Sequence, residues 1–444
     1  MTGRGSGSEG ARSASPPGSV TGADRVRAVG GTRLVPAPDP VARDYILLAL
    51  RLEQYIPGLV DGYLGPADLK ATVDMEQLRS PVRLRDDATA LRDRLVAEVA
   101  DPARRSWLDA QLVALAAQAG GLAGETVPYL DYVTRCFAYT PPRYPDERFE
   151  AAAARIAELL PGDAPLAERL EAWDARFVVP VDRLQRVVEW LAGLFRDRAA
   201  ADFGLPDGED LRVSLVTGQP WSAYNWFDGG RRSRVDVNTD LPVRASDLIG
   251  MIAHEAYPGH HLEHAWKEAD LVDTQGRLES SILLINTPEC LISEGLADLG
   301  ERFASPPQGR LELLVEIYER AGLPFATDPT ATREAAELTI AIAAERERMS
   351  GIAGNAAILR HAEGRSHDEV VTYLREVGRY PAARAEKRLE FIEHPLWRTY
   401  VFVYAEGEAL LRRWLEAVAE PERAARFGRL LHEQLTPAAV TVPG

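Results

Sequence analysis

From Asp39 onward, apolar positions recur three and four residues apart over most of the chain. Asp39-Pro40 reads as an N-cap and first-turn proline, and Tyr45, Leu47, Leu48, Leu50, Leu52 and Tyr55 form an apolar face behind it. Similar periodic runs predict helices over roughly 84–99, 105–123, 145–160, 165–177 and 179–199, each closing near Gly, Pro or Asp. The period changes near residue 210. Leu211, Val213 and Leu215 alternate with polar residues, and Thr217-Gly218-Gln219-Pro220 reads as a turn. A second alternating run, Ser233 to Asn238, follows Asp228-Gly229-Gly230, and the two runs are expected to pair as a small antiparallel ribbon. The helical period returns at Ala245. It predicts helices over 245–267, 288–304, 309–322, 329–361, 367–378, 382–393, 396–418 and 420–434. No repeat of fixed period is present.

Three regions follow. Residues 1–39, rich in Gly, Ser and Pro, are expected to be a disordered tail. Residues 40–205 form an N-terminal helical region, and 206–444 carry the chemistry, expected to pack with 40–205 as one unit. An apolar content of 46% with 27% charged residues suits a soluble globular protein. A formal charge of −16 argues against nucleic acid or an anionic membrane as partner, because both need basic surface. Two cysteines cannot make a disulfide framework or a thiolate zinc site, which points to a reducing cytoplasmic setting. No apolar run reaches transmembrane length, and the N-terminus lacks the apolar core of a secretory signal.

The candidate chemistry lies in His254-Glu255-Ala256-Tyr257-Pro258-Gly259-His260-His261. Four of the chain's eight histidines, His254, His260, His261 and His264, fall within this segment and the three residues after it. Neutral imidazole binds zinc, and a neighbouring glutamate takes a proton from water activated at the metal. Zinc hydrolases usually place two histidines at i and i+4, but here i+4 from His254 is Pro258. On an unbroken helix, position i+7 turns about 700°, roughly 20° from alignment, which favours His261. Pro258 and Gly259 instead favour a kink or widened turn, which would bring His260 round. Both histidines therefore stand as candidates beside His254. A third ligand is expected from the helix beginning at Pro288, where Glu294 and Asp298 share a face four residues apart. Glu294 would ligate, Asp298 would hold the free N–H of a ligand histidine, and Glu255 would be the general base.

The motif residues resemble a known family. HEAYPGHHLE, followed about thirty residues later by SEGLADLGE, is similar to the bacterial domain-of-unknown-function 885 family, grouped with the gluzincin-type helical zinc peptidases. Weaker likenesses follow in the expected order: Asn238-Thr239, His361-Ala362-Glu363-Gly364-Arg365-Ser366, Glu376-Val377-Gly378-Arg379-Tyr380 and Tyr404-Ala405-Glu406-Gly407. Leu296, Asp298, Ala357 and the Leu396-Trp397 pair depart from the family pattern, and residues 40–200 carry no motif. The resemblance implies a mainly α, zincin-like metallopeptidase fold with a small β element before the His-Glu helix. It implies zinc on His254, on one of His260 and His261, and on Glu294.

The expected function is zinc-dependent hydrolysis of a peptide or other amide bond in a small substrate. Tyr404 and His361 are the candidate donors to the oxyanion, and Arg348 and Arg379 the candidate binders of a substrate carboxylate. The alternative is a metal- or peptide-binding scaffold of the same fold without turnover.

Overall fold

A computed structural model describes residues 39–441 apart from Pro220. The expected N-terminal tail lies outside the described residues, save for Asp39. That residue caps the first helix, its Oδ1 accepting from Ala42 N at 2.7 Å.

The protein is mainly helical. The N-terminal region contains α1 (Pro40–Glu53), β1 (Val60–Tyr63), α2 (Ala67–Met75), α3 (Pro81–Glu98), α4 (Pro102–Leu122), α5 (Tyr129–Phe137), α6 (Asp146–Leu159), α7 (Leu166–Ala175) and α8 (Val181–Phe203). Next come β2 (Asp210–Val216), β3 (Ala223–Phe227) and β4 (Arg232–Asn238), then α9 (Leu248–Glu255), α10 (His260–Lys267), β5 (Ile282–Leu284) and α11 (Pro288–Ala304). The C-terminal helices are α12 (Pro307–Ala321), α13 (Pro329–Arg348), α14 (Ile352–His361), α15 (His367–Glu376), α16 (Ala382–Glu393), α17 (Trp397–Tyr400), α18 (Val403–Glu416), α19 (Glu420–His432) and α20 (Pro437–Val440). One apolar core draws on both halves, from Val41 to Val440. Among the described residues no helix is long and apolar enough to cross a membrane.

The sheet before the motif differs from the expected ribbon. β2 and β4 are neighbours, but they run parallel, and β3 pairs antiparallel on the other edge of β4. The chain reverses twice between β2 and β4, once on each side of β3, so β2 and the central β4 point the same way. β3 (AYNWF) lacks the apolar-polar alternation by which strands are read, and its aromatic side chains pack on one another instead. A second small sheet pairs β1 antiparallel with β5, which carries a strand of the N-terminal region to the start of α11.

Three of the helices expected from periodicity are broken. The 245–267 run divides at Ala256–Gly259, the 329–361 run divides near Gly351, which sits at φ +96°, and the 396–418 run divides at Val401–Phe402. The other expected runs match helices to within a few residues, while Ala67–Met75 and Tyr129–Phe137 are helices that the periodicity did not predict.

Two glycines set how closely α11 and α18 approach. A Cβ on Gly295 would lie 2.4 Å from the Gly407 carbonyl carbon, and one on Gly407 would lie 2.4 Å from Leu291 O. The contact places Glu294 of α11 next to Tyr404 of α18. Gly407→Ala is expected to force the helices apart and to cost about 1–3 kcal/mol in urea unfolding. An unchanged unfolding midpoint would show that the crossing has slack.

Candidate metal centre

The break in the motif decides which side chains converge. α9 ends at Glu255, and the chain turns through Ala256, Tyr257, Pro258 and Gly259 before α10 starts at His260. Gly259 N donates to Ala253 O at 2.9 Å, a span of six residues, so the turn is wider than helical. A Cβ at 259 would sit 2.0 Å from His254 O, which restricts the position to glycine. The turn resets the helical phase, so the near-alignment of His254 and His261 expected on a straight helix does not arise.

His260 turns toward His254 instead. Their rings meet edge to face with centroids 4.6 Å apart. Glu294 Oε2 lies 3.5 Å from His254 Nε2 and 3.8 Å from His260 Nε2. Ligand atoms of His254, His260 and Glu294 all fall within 4.8 Å of one another, so this trio could hold a metal ion. Two ligands on a tetrahedral zinc, each about 2.0–2.1 Å from it, lie roughly 3.3 Å apart. The observed spacings exceed that by only a few tenths of an ångström. Glu294 Oε2 is buried and has no hydrogen-bond partner among the described residues, while Oε1 accepts from Tyr400 OH at 2.7 Å. A carboxylate oxygen buried in that way wants a cation. The donor set and the orphaned oxygen therefore fit a divalent ion.

His261 is a correction to the straight-helix expectation. Its ring is fully buried (0% exposed, against 13% for His260), with Nε2 3.1 Å from Glu209 Oε1 and Nδ1 2.8 Å from Ser233 Oγ. Glu209 also accepts from Tyr257 OH and pairs with Arg196 at 2.8 Å. These bonds, together with the Tyr257 ring against His261, tie the widened turn to β4 and to the loop before β2. His261 thus anchors the turn that presents His260.

Around the trio, Asp298 Oδ1 lies 3.0 Å from His254 Nδ1, the position expected of a carboxylate that orients a ligand imidazole. On the other side, Glu263 accepts from Ser293 Oγ at 2.5 Å and from the buried Lys267 Nζ at 2.8 Å, and lies 3.6 Å from His260 Nδ1. Glu289 accepts from the same ammonium at 3.0 Å. His260, Glu263 and His264 also have metal-like spacing, but Lys267 already supplies a cation to Glu263 there.

Electrostatics follow from burial and carboxylates. Burial opposes protonation of both histidines, but Asp298 and Glu294 overcome it at His254, and Glu263 and Glu294 overcome it at His260. The His254 pKa is held well above the ordinary imidazole value and that of His260 is raised to about 10. Burial pushes the Glu255 carboxyl up, against the pull of His254 and His260. Glu294 stays well below the usual range because the two histidines outweigh its burial. His264, driven by burial, falls to about 3, stays neutral, and stacks on His260.

Two cavities meet at this point, and His254, Glu255 and Tyr404 line both. One is a cleft of about 480 Å³, the other a recess of about 100 Å³ lined by His260, Glu263, Glu294 and Tyr400. Asn225 of β3 donates Nδ2 to the backbone oxygen of Glu255 at 2.6 Å and fixes the end of α9. Tyr404 OH donates to Tyr400 OH at 3.4 Å, and burial followed by Glu294 holds the Tyr404 hydroxyl protonated, well above the ordinary tyrosine value.

The other expected residues are placed differently. His361 is not at the centre. It ends α14, bonds Ile392 O at 2.8 Å through Nε2 and packs on Tyr129, so its ring serves helix packing. Arg348 is exposed, lies 3.5 Å from Glu345 and lines neither cavity. Arg379 does line the cleft, from a left-handed position at φ +57°. Residues missed in the sequence include Tyr400, Ser293, Asn225 and, from the motif-free N-terminal half, Asp61 of β1 in the recess and Asp174 in the cleft. Glu263 and Lys267, four apart and just after the motif, were the signal within reach.

No family model and no curated protein matches this chain. Among solved structures it is similar to one described as "the putative lipoprotein from Colwellia psychrerythraea", at 16% identity and a TM-score of 0.49, over 91% of this chain and 75% of that one.

Proposed function

We propose that the protein is a zinc-dependent hydrolase of peptide or related amide bonds, of helical zincin type. The observation that carries this reading is the buried Glu294 Oε2, which makes no hydrogen bond among the described residues and faces two imidazoles, with the Glu255 carboxyl beside them. The resemblance of HEAYPGHH and the following acidic helix to a family grouped with zinc peptidases supports it.

His254, His260 and Glu294 would hold the ion, with Asp298 fixing the His254 ring. A bound zinc polarises a carbonyl and makes water a usable nucleophile near neutral pH. Glu255 takes the proton of the attacking water and passes it to the departing amine. Its burial raises its proton affinity above that of an ordinary glutamate, which suits a group that must both accept and release a proton. Tyr404, held protonated next to His254, donates its O–H to the developing oxyanion.

Metal analysis of the purified chain should find about one zinc per chain. The zinc-loaded protein should cleave members of a short-peptide panel, lose that activity to a chelator and regain it on adding zinc. Zinc-loaded protein that cleaves no amide or ester would end the hydrolase reading. Peptide binding of equal strength in wild type and Glu255→Gln, with no product from either, would put a binding scaffold in its place.

A further inference from the structure

The recess beside the metal centre holds a second group with metal-like spacing, which the proposed chemistry does not use. Ligand atoms of His260, Glu263 and His264 lie within 4.8 Å of one another, as do those of His254, His260 and Glu294. His260 belongs to both trios and turns a different nitrogen to each. Its Nε2 lies 3.8 Å from Glu294 Oε2, and its Nδ1 lies 3.6 Å from Glu263 Oε2. His264, four residues along α10, stacks on the His260 ring and meets Phe227 of β3 on another side. Two imidazoles and a carboxylate are a donor set that zinc accepts.

A cation already stands in this second group. Lys267, the last residue of α10, is buried, and its Nζ donates to Glu263 Oε1 at 2.8 Å and to Glu289 Oε1 at 3.0 Å. Glu263 and Lys267 share a face of α10, whereas Glu289 comes from the first turn of α11. The other oxygen of Glu263 accepts from Ser293 Oγ of α11 at 2.5 Å. The ammonium therefore sits between the helix that carries His260 and the helix that carries Glu294. Without its charge, the buried Glu263 and its neighbour Glu289 would lack a counter-ion, a strongly unfavourable arrangement. With it in place, a second divalent ion would meet a like charge among its own ligands.

We infer, resting on the metal centre proposed above, that Lys267 takes the place of a second divalent ion and so fixes the centre at one zinc. Two-ion hydrolases hold their metals about 3.5–4 Å apart and share the attacking and leaving oxygens between them. Lys267 keeps this protein to one-ion chemistry, in which the carboxylate of Glu255 handles the proton of the water. Removing the lysine opens a second site on Glu263, Glu289 and His264.

The test counts metal in Lys267→Met, with zinc alone as the probe and the same buffered free zinc for every protein. Wild type is expected to hold about one zinc per chain and Lys267→Met about two. The second ion should bind the variant at least about 100-fold more tightly than it binds wild type. Thermal unfolding gives an independent reading. Zinc beyond the first equivalent should raise the Tm of Lys267→Met and leave that of wild type unchanged, because an ion held only by the folded chain stabilises it. A lysine that served packing alone would give no such gain. In Lys267→Met/His264→Ala the count should return to about one. Lys267→Gln, which keeps the side chain polar, should repeat the result of Lys267→Met. The inference is overturned by one zinc in both lysine variants, by two in wild type, or by a second ion that persists without His264. Failure of both variants to fold in the presence of zinc overturns it too, since the ion should supply the missing charge. Wild type that binds no zinc removes the metal centre and the hydrolase reading together. One zinc in wild type and one in the variants removes only the role of Lys267.

Discussion

Glu255→Gln is expected to lower kcat for peptide hydrolysis by about 10²–10⁴-fold, roughly 3–5 kcal/mol of barrier, while zinc stays bound. The substitution keeps the shape of the side chain and removes only its ability to take a proton. The fold should be indifferent to it. The hydrogen bond that fixes the end of α9 runs from Asn225 to the backbone oxygen at 255, not to the side chain. His254, His260 and Glu294 are untouched, so metal content should match the wild type. A pH profile adds a sign. Burial raises the Glu255 pKa, so the base is ionised above that raised value and becomes protonated as pH falls through it. The acid limb of kcat/KM should therefore lie above the ordinary glutamate range and vanish in the variant. A Glu255→Gln protein that keeps more than a tenth of wild-type kcat with full zinc would remove Glu255 from the proposed role.

The second large effect concerns zinc uptake. Metal entering the centre near pH 7 is expected to release about two protons. Asp298 and Glu294 at His254, and Glu263 and Glu294 at His260, outweigh burial and hold both imidazoles protonated in the metal-free protein, with the His260 pKa raised to about 10. A ligand imidazole must be neutral, so each must shed its proton as the ion arrives. Below these raised values, zinc competes with two protons, and apparent affinity should fall by about two logarithmic units for each unit drop in pH. Calorimetric titration in buffers of differing ionisation enthalpy counts the protons. Asp298→Asn should weaken zinc by about 10–100-fold, as loss of an orienting carboxylate does. Glu294→Gln removes a ligand and should weaken it beyond that, while lowering the proton count, because an acid that keeps the imidazoles charged is gone. Zinc binding without proton release, and of equal strength in Glu294→Gln, would mean that the ion sits elsewhere.

Much of the helical framework can be read from the chain because an amphipathic helix writes its period into nearby positions. The N-cap at Asp39, the run from Pro288 to Ala304 and the four-residue spacing of Glu294 and Asp298 are local facts. The strand Ala223–Phe227 and the parallel pairing of β2 with β4 were not legible, because strand order depends on where the chain returns in space. The same holds for Asp61, Asn225 and Tyr400. Each lines the recess from a different element, and no spacing along the chain connects them.

Composition, periodicity and the histidine cluster thus pointed by themselves to a mainly helical protein whose candidate metal centre involves His254 and an acidic helix some forty residues on. Only the tertiary structure decided that His260, not His261, faces His254, and that His361 stays away. A straight helix has one phase, which sequence can count. A turn held open by Gly259 against the His254 carbonyl, and tied to Glu209 and Ser233, sets a new phase through contacts distant in the chain.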